Sequence, residues 1–205
     1  MNHDDTSKPA ATGPLSDHER ADLVLMREEE RLARDLYRRF HQAWDVPVFA
    51  NIAASEQRHY DAIGRLLKRY DVPDPSAGKP PGVYADTELQ DAYDGWLARG
   101  LSSAQGAYEV GVELETGDIA DLSLALEALE APEALESSGE EAIHRVYENL
   151  RTASDNHLRA FEAAISGRPL GGPRWRRRGG AQGGDGCGGG RGGHGPRGGR
   201  GRRDS

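Results

Sequence analysis

The chain has 205 residues, enough for one folded core with flanking segments, and a formal net charge of −8. That average hides a charge asymmetry. Residues 168–205 have ten Arg and two Asp, a net of +8, whereas residues 1–167 have 16 Lys plus Arg against 32 Asp plus Glu, a net of −16. The single Cys187 excludes an intrachain disulfide and a cysteine-based metal site.

Both ends of the chain have the composition of disordered segments. Residues 168–205 contain 16 of the 27 Gly and almost no aliphatic residues, and residues 1–14 are rich in Pro, Thr, Ser and Asp. The first segment lacks the apolar stretch of a signal peptide, and no run of about 18 apolar residues is present to span a membrane. We therefore expect a cytoplasmic protein without a membrane partner, folded over residues 15–167.

The folded part of the sequence, residues 15–167, is predicted to be helical because strand patterns are almost absent from it. A capping box, Ser16-x-x-Glu19, predicts the start of a first long helix that ends before Pro47. A second long helix is predicted over about Val48 to Tyr70, where apolar residues recur with the helical period.

A connector rich in Pro and Gly, residues 71–82, follows the second helix and cannot be helical. A second capping box, Thr87-x-x-Gln90, predicts a short helix that ends at Gly100. The connector and the short helix together form a crossover of roughly 30 residues, which is long for an up-and-down bundle.

Two further long helices complete the pattern. Ser102-x-x-Gln105 predicts the start of the third, in which Gly111 and Gly117 favour a bend or break near the second glycine. The fourth is predicted from about Glu140 to Ser166. Four long helices with one crossover predict an all-α, ferritin-like four-helix bundle whose long crossover contains a short extra helix.

The second long helix places two polar residues on its apolar face. Glu56 and His59 are three residues apart, so both side chains point to one side of the helix, about one turn apart. A buried carboxylate is costly unless a partner compensates its charge. A metal ion is one partner that would do so.

The other three long helices each offer a further ligand on the apolar face. In the first helix Glu29, the middle one of three consecutive glutamates, aligns with Leu25 and the rest of the apolar stripe. In the third helix Glu115 aligns with the stripe, whereas Glu113 points about 160° away. The fourth helix contributes His157.

Carboxylate oxygen and imidazole nitrogen suit iron or manganese, with zinc as a further option. Bridging carboxylates can hold two such cations close together and leave positions open for dioxygen or peroxide. In the alternative, metal-free interpretation, hydrogen bonds or neighbouring arginines satisfy each buried group. The arginines near in sequence are Arg27, Arg31, Arg34, Arg58 and Arg151. Residues that can bind a metal lie at similar depth on the apolar faces of all four long helices, and this favours the metal-binding interpretation.

Four segments of the chain resemble the DUF2202 family: EEERLARDLY at 28–37, PVFANIAASEQRH at 47–59, DIADL at 118–122 and NHLRAF at 156–161. The resemblance extends from about Leu15 to Ile165 and leaves out the Arg/Gly-rich tail. That family belongs to the ferritin-like superfamily and has no settled activity. The resemblance therefore implies a fold and a metal chemistry without a substrate.

The di-iron pattern of that superfamily is a Glu, a Glu-x-x-His, a second Glu and a second Glu-x-x-His. On this sequence the resemblance implies metal roles for Glu29, Glu56, His59, Glu115 and His157. The sequence departs from the pattern at Ser154, where a Glu is expected. Asp118 could supply the missing carboxylate if the third long helix bends; otherwise the site is mononuclear, asymmetric or lost.

These features predict a ferritin-like metalloprotein with one or two iron ions, or manganese or zinc, that reacts with dioxygen or peroxide. Iron oxidation or oxidative-stress defence would be its role, as a ferroxidase or peroxidase-like oxidoreductase, and a homo-oligomer is compatible with the fold. The alternative is a metal-free helical binding module whose tail contacts nucleic acid or an acidic partner.

The tail repeats Arg-Gly-Gly at Arg178, Arg191 and Arg197, a pattern found in segments that bind single-stranded nucleic acid. Few aromatic residues are present there to stack on bases, and the acidic body would compete for the arginines. A solubilising tail, or one that folds back on the body, is therefore the preferred interpretation.

Overall fold

The computed structural model describes residues 15–130 and 140–167, which form five helices and no strand. They are α1 (Asp17–Trp44), α2 (Pro47–Arg69), α3 (Thr87–Ser102), α4 (Ala104–Leu129) and α5 (Glu140–Ile165). The predicted helical class is confirmed. The segments predicted to be disordered, 1–14 and 168–205, lie outside the described residues. None of these five helices combines the length and the apolar character needed to cross a bilayer.

The boundaries of α1 follow directly from local sequence. The Ser16 hydroxyl accepts a hydrogen bond from the Glu19 N–H, and the Glu19 carboxylate accepts one from the Ser16 N–H at 2.6 Å, so the predicted capping box is present. The helix ends where Asp45 adopts a left-handed conformation with φ of 50°. Pro47 then occupies the first turn of α2, where its missing N–H costs nothing.

The next two helices start one residue away from their predicted positions. Asp86 caps α3 by accepting hydrogen bonds from two N–H groups of the first turn, so Thr87 is already helical. Asp is the stronger cap because its carboxylate accepts both bonds. Ser103 caps α4 and accepts from the Gly106 N–H at 2.9 Å, whereas Ser102 closes the end of α3.

The helix α4 is continuous through Gly117, so the predicted break is absent. The other glycine, Gly111, has a packing role instead. A Cβ atom at this position would lie 2.7 Å from the ring of Phe161 on α5, a distance that real contacts do not show. Glycine at 111 therefore lets α4 and α5 approach closely, which offsets its intrinsic cost to the helix.

The interior contains two apolar cores. The first core includes Leu23, Met26, Ile63, Leu67, Leu122, Leu126, Ile143, Tyr147 and Leu150. The second core includes Leu32, Leu36, Tyr37, Phe40, Phe49, Ile52, Val110, Leu114 and Phe161. Along each long helix, buried polar residues separate the members of one core from those of the other. We call the central group of these residues the polar layer: Glu30, Glu56, His59, Glu115, Asp118, Ser154 and His157.

The order in which the helices pass the polar layer defines the topology. Along α1 and α5 the residues of the first core come before those of the second, and along α2 and α4 the order is reversed. The chain that leaves α2 must therefore return to the opposite end of the molecule before α4 begins. The connector and α3 make this return, and α3 packs against α1 and α4.

A buried arginine of α1 holds the connector against the bundle. Arg31 is 2% exposed and donates hydrogen bonds to the carbonyl oxygens of Pro80 at 2.6 Å and Val83 at 3.0 Å. Its guanidinium also pairs with Glu28 at 3.1 Å. These bonds satisfy backbone carbonyls that the irregular connector cannot satisfy through secondary structure.

Replacing Arg31 by Met should destabilise the protein because it leaves the Glu28 carboxylate and the connector carbonyls buried without their donor. Breaking one partner of a buried ion pair costs about 3–5 kcal/mol. The measurement is urea unfolding followed by circular dichroism. Arg38→Met, on the exposed side of the same helix, is the matched control and should change stability by about 0.5 kcal/mol or less. Equal stability of the two variants would contradict this role of Arg31.

Candidate metal centre

Glu56 lies at the middle of the polar layer and faces two histidines. The residue is fully buried; its Oε1 lies 2.8 Å from His157 Nδ1 and its Oε2 lies 2.7 Å from His59 Nδ1. These distances are those of ion pairs, but both Glu56 oxygens lack a partner aligned as a hydrogen bond. Hydrogen bonds are directional. Carboxylate oxygens and imidazole nitrogens that lie this close without pointing at one another are better placed to bind a common cation than to bond to each other.

Two further carboxylates extend this arrangement on either side. Glu30 Oε2 lies 3.2 Å from His59 Nδ1, and Glu115 Oε2 lies 3.4 Å from His157 Nδ1. Two groups of three residues result, and within each group the ligand atoms lie within 4.8 Å of one another. Glu56 belongs to both groups. Two ligand groups with a shared carboxylate form the arrangement that a two-metal site requires.

Residues around these groups fix the orientation of the ligands. The Tyr37 hydroxyl donates to Glu115 Oε1 at 2.7 Å, which holds that carboxylate in place. Ser55 Oγ lies 3.4 Å from His59 Nε2, so a proton on Nε2 leaves Nδ1 available as a metal ligand. The rings of His59 and His157 stack, with centroids 5.7 Å apart.

In the metal-free centre, burial and ion pairing shift the pKa values of the ligands in opposite directions. Burial alone would lower the pKa of His59, but its contacts with Glu30 and Glu56 raise that pKa to about 10. Burial alone would also lower the pKa of His157, but its contacts with Glu115 and Glu56 outweigh burial and raise that pKa to about 9. Burial raises the pKa of Glu56, yet the two histidines lower it to about 2. Without a metal, both imidazoles are therefore protonated at neutral pH.

The structure brings together Glu56, His59, Glu115 and His157 from the predicted ligands, and it places Glu30 beside them rather than Glu29. Glu29 belongs to neither group, and burial followed by the charge of a neighbouring Asp raises its pKa to about 7. The prediction aligned Glu29 with Leu25, which is 41% exposed. The series Leu23, Met26, Glu30, Ala33 and Tyr37, with alternating steps of three and four, is the buried one. The sequence contains both series, and burial against the neighbouring helices selects the one with Glu30.

Two further metal-capable residues have side chains that helical geometry directs away from the apolar stripes, as stated above for Glu113. Glu113 lies at the surface, where it accepts hydrogen bonds from Trp96 at 3.0 Å and from Arg99. His144 also lies at the surface, beside the exposed Glu130. Neither residue approaches the polar layer, as helical spacing predicted.

The arginines that could have neutralised the buried carboxylates have other partners. The ion pairs of the three buried ones are Arg27–Asp74 at 2.7 Å, Arg31–Glu28 at 3.1 Å and Arg34–Asp35 at 2.8 Å. The other two, Arg58 and Arg151, are exposed. Within residues 15–130 and 140–167, the ion-pair partners of Glu30, Glu56 and Glu115 are the two histidines. The donor set therefore fits a cation that prefers oxygen and nitrogen ligands.

Comparisons with known proteins identify relatives without an assigned activity. A family model described as "Uncharacterized protein domain (DUF2202)" matches residues 19–171. The chain is 39% identical over 148 residues to the uncharacterized protein MJ0754 of Methanocaldococcus jannaschii, a match that covers 72% of this chain and 75% of that protein. The crystal structure of the hypothetical protein MJ0754 from Methanococcus jannaschii resembles the structure of this chain with a TM-score of 0.69 at 37% sequence identity. The match covers 76% of this chain and 83% of the crystallised chain.

Replacing Glu56 by Gln in the metal-free protein should lower the pKa values of both histidines. The neutral amide no longer stabilises the imidazolium forms, whereas burial continues to oppose them, so both values should fall from about 10 and about 9 toward about 6.5. The measurement is an NMR titration of the imidazole C–H resonances. Glu113→Gln removes the same charge at the surface and should change neither value. Unchanged histidine titrations in Glu56→Gln would refute the central position of Glu56.

Proposed function

The chain belongs to the DUF2202 family, and we propose that it is a ferritin-like metalloprotein whose polar layer binds two iron ions and reacts with dioxygen or peroxide. The observation that carries the proposal is Glu56, whose two carboxylate oxygens face different histidines and so belong to two ligand groups. Ferroxidase or peroxidase-like activity is the reaction class that such a centre supports.

The topology supports the ferritin-like part of the proposal. The helix pairs α1/α2 and α4/α5 pack within themselves and against each other through α2/α5 and α1/α4. One long crossover that contains α3 joins the two pairs. Four long helices with this connectivity, and with ligands that project inward from each of them, characterise ferritin-like carboxylate proteins.

The donor chemistry supports iron, with manganese and zinc as alternatives. Each ligand group combines two carboxylates with one imidazole, a hard and intermediate donor set that suits these metals. Bound iron would supply one-electron transfers to dioxygen or peroxide. The chain provides the ligands and a dry environment for this chemistry.

Each residue of the centre has a definable task. Glu56 bridges the two ligand groups, and Glu30 and Glu115 close their outer sides. Both histidines would bind as neutral imidazoles, and His59 would then donate a hydrogen bond from Nε2–H to Ser55 Oγ. Tyr37 positions Glu115 by donating to it.

Aromatic packing beside the centre excludes water. The Tyr37 ring packs against Phe161, with centroids 5.2 Å apart, and Phe161 packs against Phe49 at 5.7 Å. All three side chains are fully buried. Interactions between charges are stronger in such surroundings than in water, so ligand charges hold cations more tightly there.

The proposed nucleic-acid function depends on the Arg/Gly-rich tail, residues 168–205, which lies outside the described residues. It stays a prediction of the sequence. In the metal-free interpretation of these helices, neighbouring arginines do not compensate Glu30, Glu56 and Glu115, because the buried arginines pair with other residues. Ion pairs with His59 and His157 would take that role.

Protein purified without chelator should contain iron, up to about two ions per chain, and metal-free protein should consume dioxygen when Fe²⁺ is added. Elemental analysis and an oxygen electrode measure these properties. Glu56→Gln removes the shared ligand and should lose both, whereas Glu113→Gln should retain both. Wild-type protein that holds no more iron, manganese or zinc than Glu56→Gln, and takes up none, would sink the proposal.

Metal binding should release protons and strengthen with pH. In the metal-free centre the pKa values of His59 and His157 are about 10 and about 9, so a cation must displace both protons at neutral pH. The affinity for Co²⁺ should rise about tenfold per pH unit for each proton released, until the pH approaches those values. Calorimetry in buffers of different ionisation enthalpy counts the protons. An affinity that does not change between about pH 6 and pH 8 would contradict ligation by these histidines.

A further inference from the structure

Asp118 is a buried carboxylate without a partner in either ligand group. It lies three residues after Glu115 on α4, is 8% exposed, and its Oδ2 makes no hydrogen bond. Burial first, and then the charges of nearby glutamates led by Glu115 and Glu30, raise the pKa of Asp118 well above its usual range. The carboxylate is thus within electrostatic reach of both groups. An ionised carboxylate in that position is costly unless a cation compensates it.

On α5 the corresponding carboxylate is missing. Ser154 precedes His157 by three residues, as Glu56 precedes His59. Its side chain is 1% exposed, and its hydroxyl also lacks a hydrogen-bond partner. The α5 side of the polar layer therefore presents an imidazole and a neutral hydroxyl where α2 presents an imidazole and a charge.

Charge balance connects these two observations. Two divalent cations bring four positive charges, whereas the carboxylates of the two ligand groups, Glu30, Glu56 and Glu115, supply three negative ones. Neutral histidines add nothing, so one positive charge would be buried without compensation, which is strongly unfavourable. A fourth carboxylate in the same layer balances the sum. Glu29 Oε2 also lacks a hydrogen-bond partner, but the Glu29 side chain is only partly buried, whereas Asp118 is 8% exposed and belongs to the polar layer.

We propose that Asp118 is the fourth carboxylate of the metal centre, and that it compensates the second cation in place of a Glu at position 154. This inference rests on the proposed two-metal function. No break of the helix is required, since Asp118 is already buried in the polar layer on a continuous α4. The two metal positions are then unequal. Both share Glu56 of α2, but one draws its own carboxylate from α1, as Glu30, and the other draws two from α4, as Glu115 and Asp118.

The test compares Asp118→Asn with the wild type as full chains, by calorimetric titration with Co²⁺ and by elemental analysis. The second Co²⁺ should bind about tenfold more weakly or worse, while the first is retained. Asp121→Asn, half-buried and one turn further along α4, is the matched control and should bind both ions as the wild type does. Binding of both ions by Asp118→Asn with unchanged affinity would overturn the inference.

A rescue variant tests the charge-balance argument itself. Ser154→Glu in the Asp118→Asn background places a carboxylate three residues before His157, and it should restore the second ion. Loss of the ion without rescue would overturn the argument.

The metal-free Asp118→Asn variant should melt at or above the wild-type temperature, because it removes a buried, uncompensated group; a lower temperature would contradict that placement. Wild-type protein that binds no Co²⁺ would instead refute the proposed function.

Discussion

The buried charge of the polar layer is the constraint on which the rest of this structure depends. Four helices carry carboxylates and imidazoles into one buried layer between two apolar cores. A layer of that kind is costly unless its charges compensate one another or hold cations. Glu56 meets this requirement in part by facing two histidines at once, whereas Asp118 and Ser154 keep unsatisfied atoms. The apolar cores on both sides fix the helices and thereby the spacing of the ligands.

The chain divides its buried polar residues between two tasks. Arginines of α1 hold the irregular connector by donating to its carbonyl groups and pairing with carboxylates beside it, as Arg31 and Arg27 do. Histidines and carboxylates of the polar layer pair with one another instead. The separation has a functional consequence, since a guanidinium among the metal ligands would supply the positive charge that a cation otherwise brings. The connector matters for the same reason: it makes the long return that lets α2 and α4 run in the same direction past the layer.

The two halves of the molecule correspond to each other, but not completely. Glu30 on α1 corresponds to Glu115 on α4, and the pair Glu56 and His59 on α2 corresponds to Ser154 and His157 on α5. A symmetric centre would hold two equivalent ions. In this centre the carboxylate shared by the two ligand groups, Glu56, comes from one half only. Tyr37 adds to the inequality because it donates to Glu115. In the proposed two-metal centre, unequal positions would let one ion be held firmly while the other exchanges.

The sequence by itself determined the helical class, the start and end of α1, and the inward direction of Glu56, His59, Glu115 and His157, because these follow from helical period and local capping. It did not determine which of three consecutive glutamates faces the layer. Successive residues differ by about 100° around a helix, and the phase is set by the neighbours against which α1 packs. Nor could periodicity show that the arginines turn to the connector, or that Asp118 enters the layer on an unbroken helix. Those outcomes depend on contacts between residues far apart in the chain, and only the tertiary structure decided them.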